Sequence, residues 1–218
     1  MGHRFAELAF TPNVQAVQEK LGSRASYRRL ERGETHHQRL GARESAFIVR
    51  RDSFYMATVS ETGWPYVQHR GGPQGFLRVL DDSTVGFADF AGNRQYVSVG
   101  NLAGDGRIAL IMVDYPNRAR LKILGHARTL APDHPLVAER LAVPGYRAAI
   151  ERGVVISIAA FDWNCRQHIT PRYRETEPTA EPAPEPERRR SGGRPGLESL
   201  ARLDNMAQGS RPRPSGKG

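Results

Sequence analysis

SFYMATVSETGWPYVQHR, residues 53–70, decides the architecture. Through SFYMATVS the apolar and polar residues alternate, which is the period of a strand with one face buried. ETGWP supplies a turn with Gly63 and Pro65, and YVQHR then reads as a second strand. The run predicts a β-hairpin. Beyond it, FLRVLDD and TVGFADF read as two strands around a DDS turn. RIALIMVDY is a continuous apolar run, expected as a strand buried on both faces. RARLKILGHARTLA follows a YPN turn as a long strand, and VVISIAAFDW is the last one. Helices are expected around these strands. NVQAVQEKLGS has apolar residues at 14, 17 and 21 with Gly22 as a stop, and SRASYRRLERGETHHQRLG is a polar surface helix. ARESAF opens a third helix that ends near Asp52. GNRQYVSVGNLAGDG holds a short helix between Gly-containing loops. DHPLVAERLAVPGY is a further helix, with Asp133 as N-cap and Pro135 near the first turn. Six or more closely spaced strands with interspersed helices predict an α+β fold, mainly β, built as a barrel with helical decoration. There is no GxGxxG or GxxxxGK[ST] motif and no βαβ alternation, which argues against a dinucleotide fold or a P-loop.

Composition sets the frame for function. The chain of 218 residues is 39% hydrophobic and 25% charged, ordinary for a globular protein. Its net charge of +9 points to an anionic partner: nucleic acid, membrane surface or a phosphate-bearing ligand. A single Cys permits no intramolecular disulfide, and MGHRFAELAF has no continuous apolar stretch. A cytoplasmic protein is expected. From Glu175 onward there is no Phe, Tyr, Trp, Ile or Val, and 7 of the 15 prolines lie there. That composition predicts a disordered Pro/Glu/Arg-rich tail over 175–218. The expected organisation is a helical segment over 1–44 packed on the barrel, the barrel over 45–174, and the tail. The tail holds 8 basic and 7 acidic residues, so the excess positive charge belongs to the body.

Four constellations carry possible chemistry. In RARLKIL, Arg118, Arg120 and Lys122 fall on one strand face, where an anion would relieve their repulsion. A solvated edge strand is the alternative. In FADFAGNRQY, a strand leads through Gly92 into a helix whose start carries Asn93, Arg94 and Gln95, chemically a phosphate site. A capped helix is the alternative there. In YVQHRGGP, the residues Gln68, His69 and Arg70 end a strand before two glycines that let a planar ligand approach the backbone. A tight turn explains the same residues. Finally, DWNCRQH pairs Cys165 with His168 at C-x-x-H spacing, but no second Cys and no matching His pair exist to complete a zinc site. The alternative is a strand end whose Trp163 closes the barrel.

Taken in order, GWPYVQHRGGP, GFADFAGNRQY, RARLKILGHA and DWNCRQH resemble the pyridoxamine 5'-phosphate oxidase-like flavoproteins over roughly residues 45–173. The longer segments are similar to a bacterial, oxidase-related FMN-binding subfamily. The resemblance implies a split β-barrel that binds FMN at a homodimer interface. Gly63, Pro65 and Tyr66 match the oxidases' Gly-x-Pro-Tyr-x-Arg strand, with Gln68 at the position of its Arg and Pro73 at that of a later Lys. Arg94 matches the Arg of the oxidases' phosphate loop, and Gln95 replaces the Lys beside it. Arg120 falls at a flavin-contacting position. Trp163, Arg166 and His168 resemble the late Trp and Arg-x-His, at shorter spacing. The implied cofactor-binding set is Gln68, His69, Arg70 and Gly71; Ala88, Asp89, Asn93, Arg94 and Gln95; Arg120 and Lys122; and Trp163, Asn164, Arg166, Gln167 and His168. No catalytic residue and no metal ligand follow from it. The absent Lys at 73 argues against pyridoxamine phosphate as substrate. The expected function is an FMN-dependent oxidoreductase acting on a small molecule. A non-catalytic carrier or sensor of flavin, haem or deazaflavin is the first alternative. A nucleic-acid binder is the second, although the familiar basic and aromatic RNA motif is missing.

Overall fold

Ser53–Val59 (β1) and Pro65–Gly71 (β2) form the hairpin, with Ser53 opposite Gly71 and Val59 opposite Pro65. The Ser60 N–H donates to the Trp64 carbonyl at 2.9 Å across the loop. Gly63 there has φ of 83°, a left-handed turn conformation that only glycine takes without strain. The computed structural model describes residues 3–31 and 37–173. The chain divides into two units, 1–179 and 180–218, and all the described residues belong to the first. The tail expected over 175–218 lies outside the described residues, as does the middle of the surface helix expected over 23–41.

Five further strands join the hairpin: Arg78–Asp81 (β3), Thr84–Phe90 (β4), Arg107–Asp114 (β5), Ala119–Leu130 (β6) and Ile150–Trp163 (β7). All pairings are antiparallel, and the sheet order is β2-β1-β5-β6-β7-β4-β3. The inward residues of separate strands meet in one core. Phe54 and Met56 of β1, Phe87 of β4, Leu110 and Met112 of β5, Ile123 of β6 and Ile156 of β7 are almost fully buried there. Phe54 and Phe87 sit near opposite ends of the strand order, yet their ring centroids are 5.3 Å apart. The sheet is therefore rolled. It is not closed, because its end strands β2 and β3 share no backbone ladder. The fold is a split barrel with helices around it.

Among the described residues four helices precede the hairpin: Arg4–Ala9 (α1), Pro12–Lys20 (α2), Arg24–Leu30 (α3) and Ala42–Val49 (α4). α4 drives Phe47 and Ile48 into the barrel core, and Phe47 meets Trp163 edge-on at 4.8 Å. Glu44 ties the two elements, accepting the Trp163 indole N–H at 2.7 Å and the Gly41 N–H at 3.0 Å. Val97–Gly104 (α5) stands at the split. Its Asn101 donates to Thr58 of β1 at 2.9 Å, and its Ser98 donates to Gln68 of β2 at 3.0 Å.

The structure corrects three expectations. β5 is not buried on both faces: its residues alternate, with Ile108, Leu110 and Met112 inside and Ala109 and Ile111 half-buried outside. Among the described residues no element fully covers that outer face. Arg118 is not on the β6 face with Arg120 and Lys122, because it sits in the preceding turn with φ of 49°. The helix expected over 133–146 shrinks to one wide turn, Val137–Leu141, closed by Ala142 N–H to the Val137 carbonyl at 2.8 Å. Val137 and Leu141 pack there against Ala88, Leu130 and Val155, and Pro144 stops any extension. On α2, Val14, Val17 and Leu21 are exposed and the polar Gln18 is buried beside Arg24. The Arg24 guanidinium meets Glu31 at 2.7 Å.

Candidate functional site

The split in the barrel holds a cleft of about 270 Å³. Gln68 and Arg70 reach it from β2, Asp89 and Phe90 from β4, and Glu151 and Arg152 from β7. The loop Gly92–Tyr96 and Val99 of α5 complete its wall. The alternation of β2 explains the first pair: Gln68 and Arg70 face the cleft, so His69 between them faces the other side.

Charge organises the floor. Asp89 is only 4% exposed and lies between two guanidiniums, those of Arg70 and Arg152. Its second oxygen accepts from Arg152 at 2.7 Å, and the two residues are register partners across β4 and β7. Burial would lower the Arg152 pKa, but hydrogen bonding and charge from Asp89 outweigh it and leave the pKa raised. Three guanidiniums (Arg70, Arg94, Arg152) face two carboxylates (Asp89, Glu151), so the lining is positive by one charge. The Arg70 Nε is buried with no hydrogen-bond partner among the described residues.

The loop is held in a demanding conformation. Arg94 and Tyr96 have φ of 59° and 56°, left-handed values that cost a non-glycine residue on the order of 1–2 kcal/mol each. Local bonds hold them. The Tyr96 hydroxyl accepts from Arg94 Nε and donates to Glu151, both at 2.9 Å. The Arg152 guanidinium lies over the Tyr96 ring at 5.0 Å. Asn93 accepts the Gln95 N–H at 3.2 Å. The hydrogen bond to Tyr96, with the charge of Glu151, raises the Arg94 pKa. Directly after this loop, the first turn of α5 presents N–H groups that have no partner within the helix.

Of the expected site residues, Gln68, Arg70, Asp89, Asn93, Arg94 and Gln95 come together in this cleft. The others do not reach it within one chain. His69 lies on the outer sheet face, 5.4 Å from the Tyr55 ring, and Gly71 is at the strand end beside it. Lys122 lies on the outer face of β6, where its ammonium is 3.3 Å from Asp162 and 4.5 Å from the Phe5 ring. Arg120 faces the same way, its Nε buried without a partner. Ala88 is a core residue, 1% exposed, because its side of β4 is covered by Val137 and Leu141. Trp163, Asn164 and Arg166 line a separate hollow with Arg43, whose guanidinium stacks on Trp163 at 4.2 Å. Gln167, His168 and Cys165 are exposed near it. Among the described residues no cluster of three His, Cys, Asp or Glu side chains could hold a metal ion.

Tyr96, Glu151 and Arg152 belong to the cleft although sequence reading passed over them. One signal was present: an Asp in the otherwise apolar strand TVGFADF needs a buried cation as partner. Glu151 and Arg152 come at the start of β7, before the apolar run that marked that strand.

The model of the pyridoxamine 5'-phosphate oxidase family matches residues 42–154, and the chain belongs to that family. Solved structures resemble it at low identity. HupZ of Group A Streptococcus is 16% identical with a TM-score of 0.46, covering 56% of this chain and 92% of its own. A protein of the pyridoxinephosphate oxidase family from Clostridium acetobutylicum is 15% identical with a TM-score of 0.40, covering 56% and 85%. An FMN-binding protein from Syntrophomonas wolfei is 12% identical with a TM-score of 0.41, covering 69% and 95%. No curated protein matches the sequence.

Proposed function

We propose that this protein is an FMN-binding oxidoreductase that works on a small molecule as a homodimer. The observation that carries the reading is the seam cleft, where a loop with Arg94 opens α5 between the two further guanidiniums of Arg70 and Arg152. The residues fit the phosphate end of the cofactor. The cleft is positive by one charge, Arg70 Nε has no hydrogen-bond partner among the described residues, and a helix start favours an anion. Arg94 would hold the phosphate, Arg70 and Arg152 would supply the field around it, and Gln68 would orient the ring. Ser98 occupies the Gln68 Oε1, which leaves the Gln68 amide N–H groups for a ring acceptor. Bound FMN would supply hydride and single-electron transfer, and the chain's part is to bind and orient it.

Two observations favour a homodimer. The cleft of one chain, about 270 Å³, is below the range of about 300–1,000 Å³ usual for small-molecule sites. The outer face of β2, β1, β5 and β6 is apolar and open, with Tyr55, Val67, Ile111 and Leu124 around a hollow of about 160 Å³. A second copy on that face would bury it and add a wall. His69, Lys122, Arg120 and the hollow at Trp163, Asn164 and Arg166 would then serve the flavin from outside the cleft. The visible spectrum of the purified protein, with identification of the released chromophore, tests the proposal. One FMN per chain supports it. A protein that stays colourless with FMN added, or that carries haem or a deazaflavin instead, overturns it.

A further inference from the structure

Arg94 is the most exposed cation of the cleft, its side chain 73% accessible, yet it is not loose. Its Nε is bonded to the Tyr96 hydroxyl at 2.9 Å, and the same hydroxyl donates to Glu151 Oε1 at 2.9 Å. Glu151 Oε1 lies 3.7 Å from Arg94 Nε, beyond hydrogen-bond range but close enough to act through charge. The other Glu151 oxygen accepts from Arg152 at 3.2 Å, and Arg152 binds the buried Asp89. A chain of contacts thus joins an exposed arginine to the buried Asp89 in the seam.

We infer that Tyr96 and Glu151 are positioning residues that set how strongly the cleft grips an anion. The two act with opposite sign. The hydroxyl fixes the Nε edge of the guanidinium and leaves its terminal nitrogens for a ligand, so less side-chain freedom is lost on binding. The carboxylate keeps the hydroxyl oriented but subtracts from the positive field that the ligand meets. The left-handed backbone at Arg94 and Tyr96 places both side chains on the same small loop, and the bond between them is part of what holds that backbone. The inference rests on the flavin-phosphate reading only in taking Arg94 to face an anion.

The test uses the full chain and two probes, inorganic phosphate by calorimetry and FMN by fluorescence titration. Tyr96→Phe keeps the ring under Arg152 and removes the hydroxyl; it is expected to weaken phosphate binding about tenfold. Glu151→Gln keeps an acceptor for the hydroxyl and removes the charge; it is expected to tighten phosphate binding about threefold to tenfold. A merely structural role for Glu151 cannot produce tighter binding, so the opposite signs are the decisive readout. Unchanged phosphate affinity in Y96F, or weaker affinity in E151Q, overturns the inference. If Y96F does not fold, E151Q alone decides it. Phosphate binding that shifts as expected without FMN uptake overturns the flavin reading and keeps this one. FMN uptake that ignores both substitutions does the reverse, and a wild-type chain that binds neither probe overturns both.

Discussion

Asp89 is the residue on which the seam turns. Both its oxygens are engaged, and without it the half-buried Arg70 loses its carboxylate and the half-buried Arg152 keeps only Glu151. Asp89→Ala is expected to cost about 3–5 kcal/mol, read as a lower urea midpoint. Arg94 contributes differently. It is exposed, so Arg94→Ala should leave the fold intact and reduce FMN affinity by about thirtyfold, read by flavin fluorescence. The contrast shows what can be read from sequence at such positions. The placement of Arg94 was legible because a strand, a glycine turn and a helix start mark its loop locally, although the same pattern also fits a capped helix. Asp89 was legible as a position but not as an ion group, since its partners come from strands far away in sequence. Tyr96 was hidden because its role depends on a left-handed backbone that no local pattern encodes.

The strands themselves were the most legible feature, because period-two alternation and turn residues are local. The pairing was less so. β6 runs beside β7 for ten register pairs, with a shift between Leu124 and Gly125. At Gly125 an added Cβ would lie 2.6 Å from the Ser157 carbonyl oxygen, so the close approach requires glycine there. Gly125→Ala is expected to cost about 1–3 kcal/mol through strand displacement, measurable as a fall in Tm. Another local device starts β5, where Asp105 accepts the Arg107 backbone N–H and its guanidinium. These bonds lower the Asp105 carboxyl from 3.8 to about 2, the side-chain bond being the larger cause. The folded value is below the unfolded one, so the contribution is complete above about pH 3.8 and is lost as pH falls through 2. Asp105→Asn should therefore flatten the Tm-versus-pH curve between those values and leave its slope at neutral pH unchanged. The helix expected over 133–146 failed for a tertiary reason. Two buried contacts, Val137 and Leu141, satisfied the segment with a single wide turn.

The apolar run of β5 was read as buried on both sides, and among the described residues only one face is fully buried. The proposed second copy would cover the other. Val67→Glu puts a charge on the open face, where Val67 is 60% exposed. It is expected to weaken dimerisation by a factor of about 100 or more in sedimentation, with loss of bound FMN and little change in monomer stability. Net charge was readable from composition, but its meaning was not, since the cleft itself carries an excess of only one. The seam has one more consequence. Between β2 and β4 the barrel is stitched by side chains alone, through Arg70 and Asp89, with α5 wedged against Gln68 and Thr58. Across that gap no rung of backbone ladder holds the β1–β2 hairpin, so an occupant of the cleft would act as a rivet between two edges that the described residues tie only through side chains.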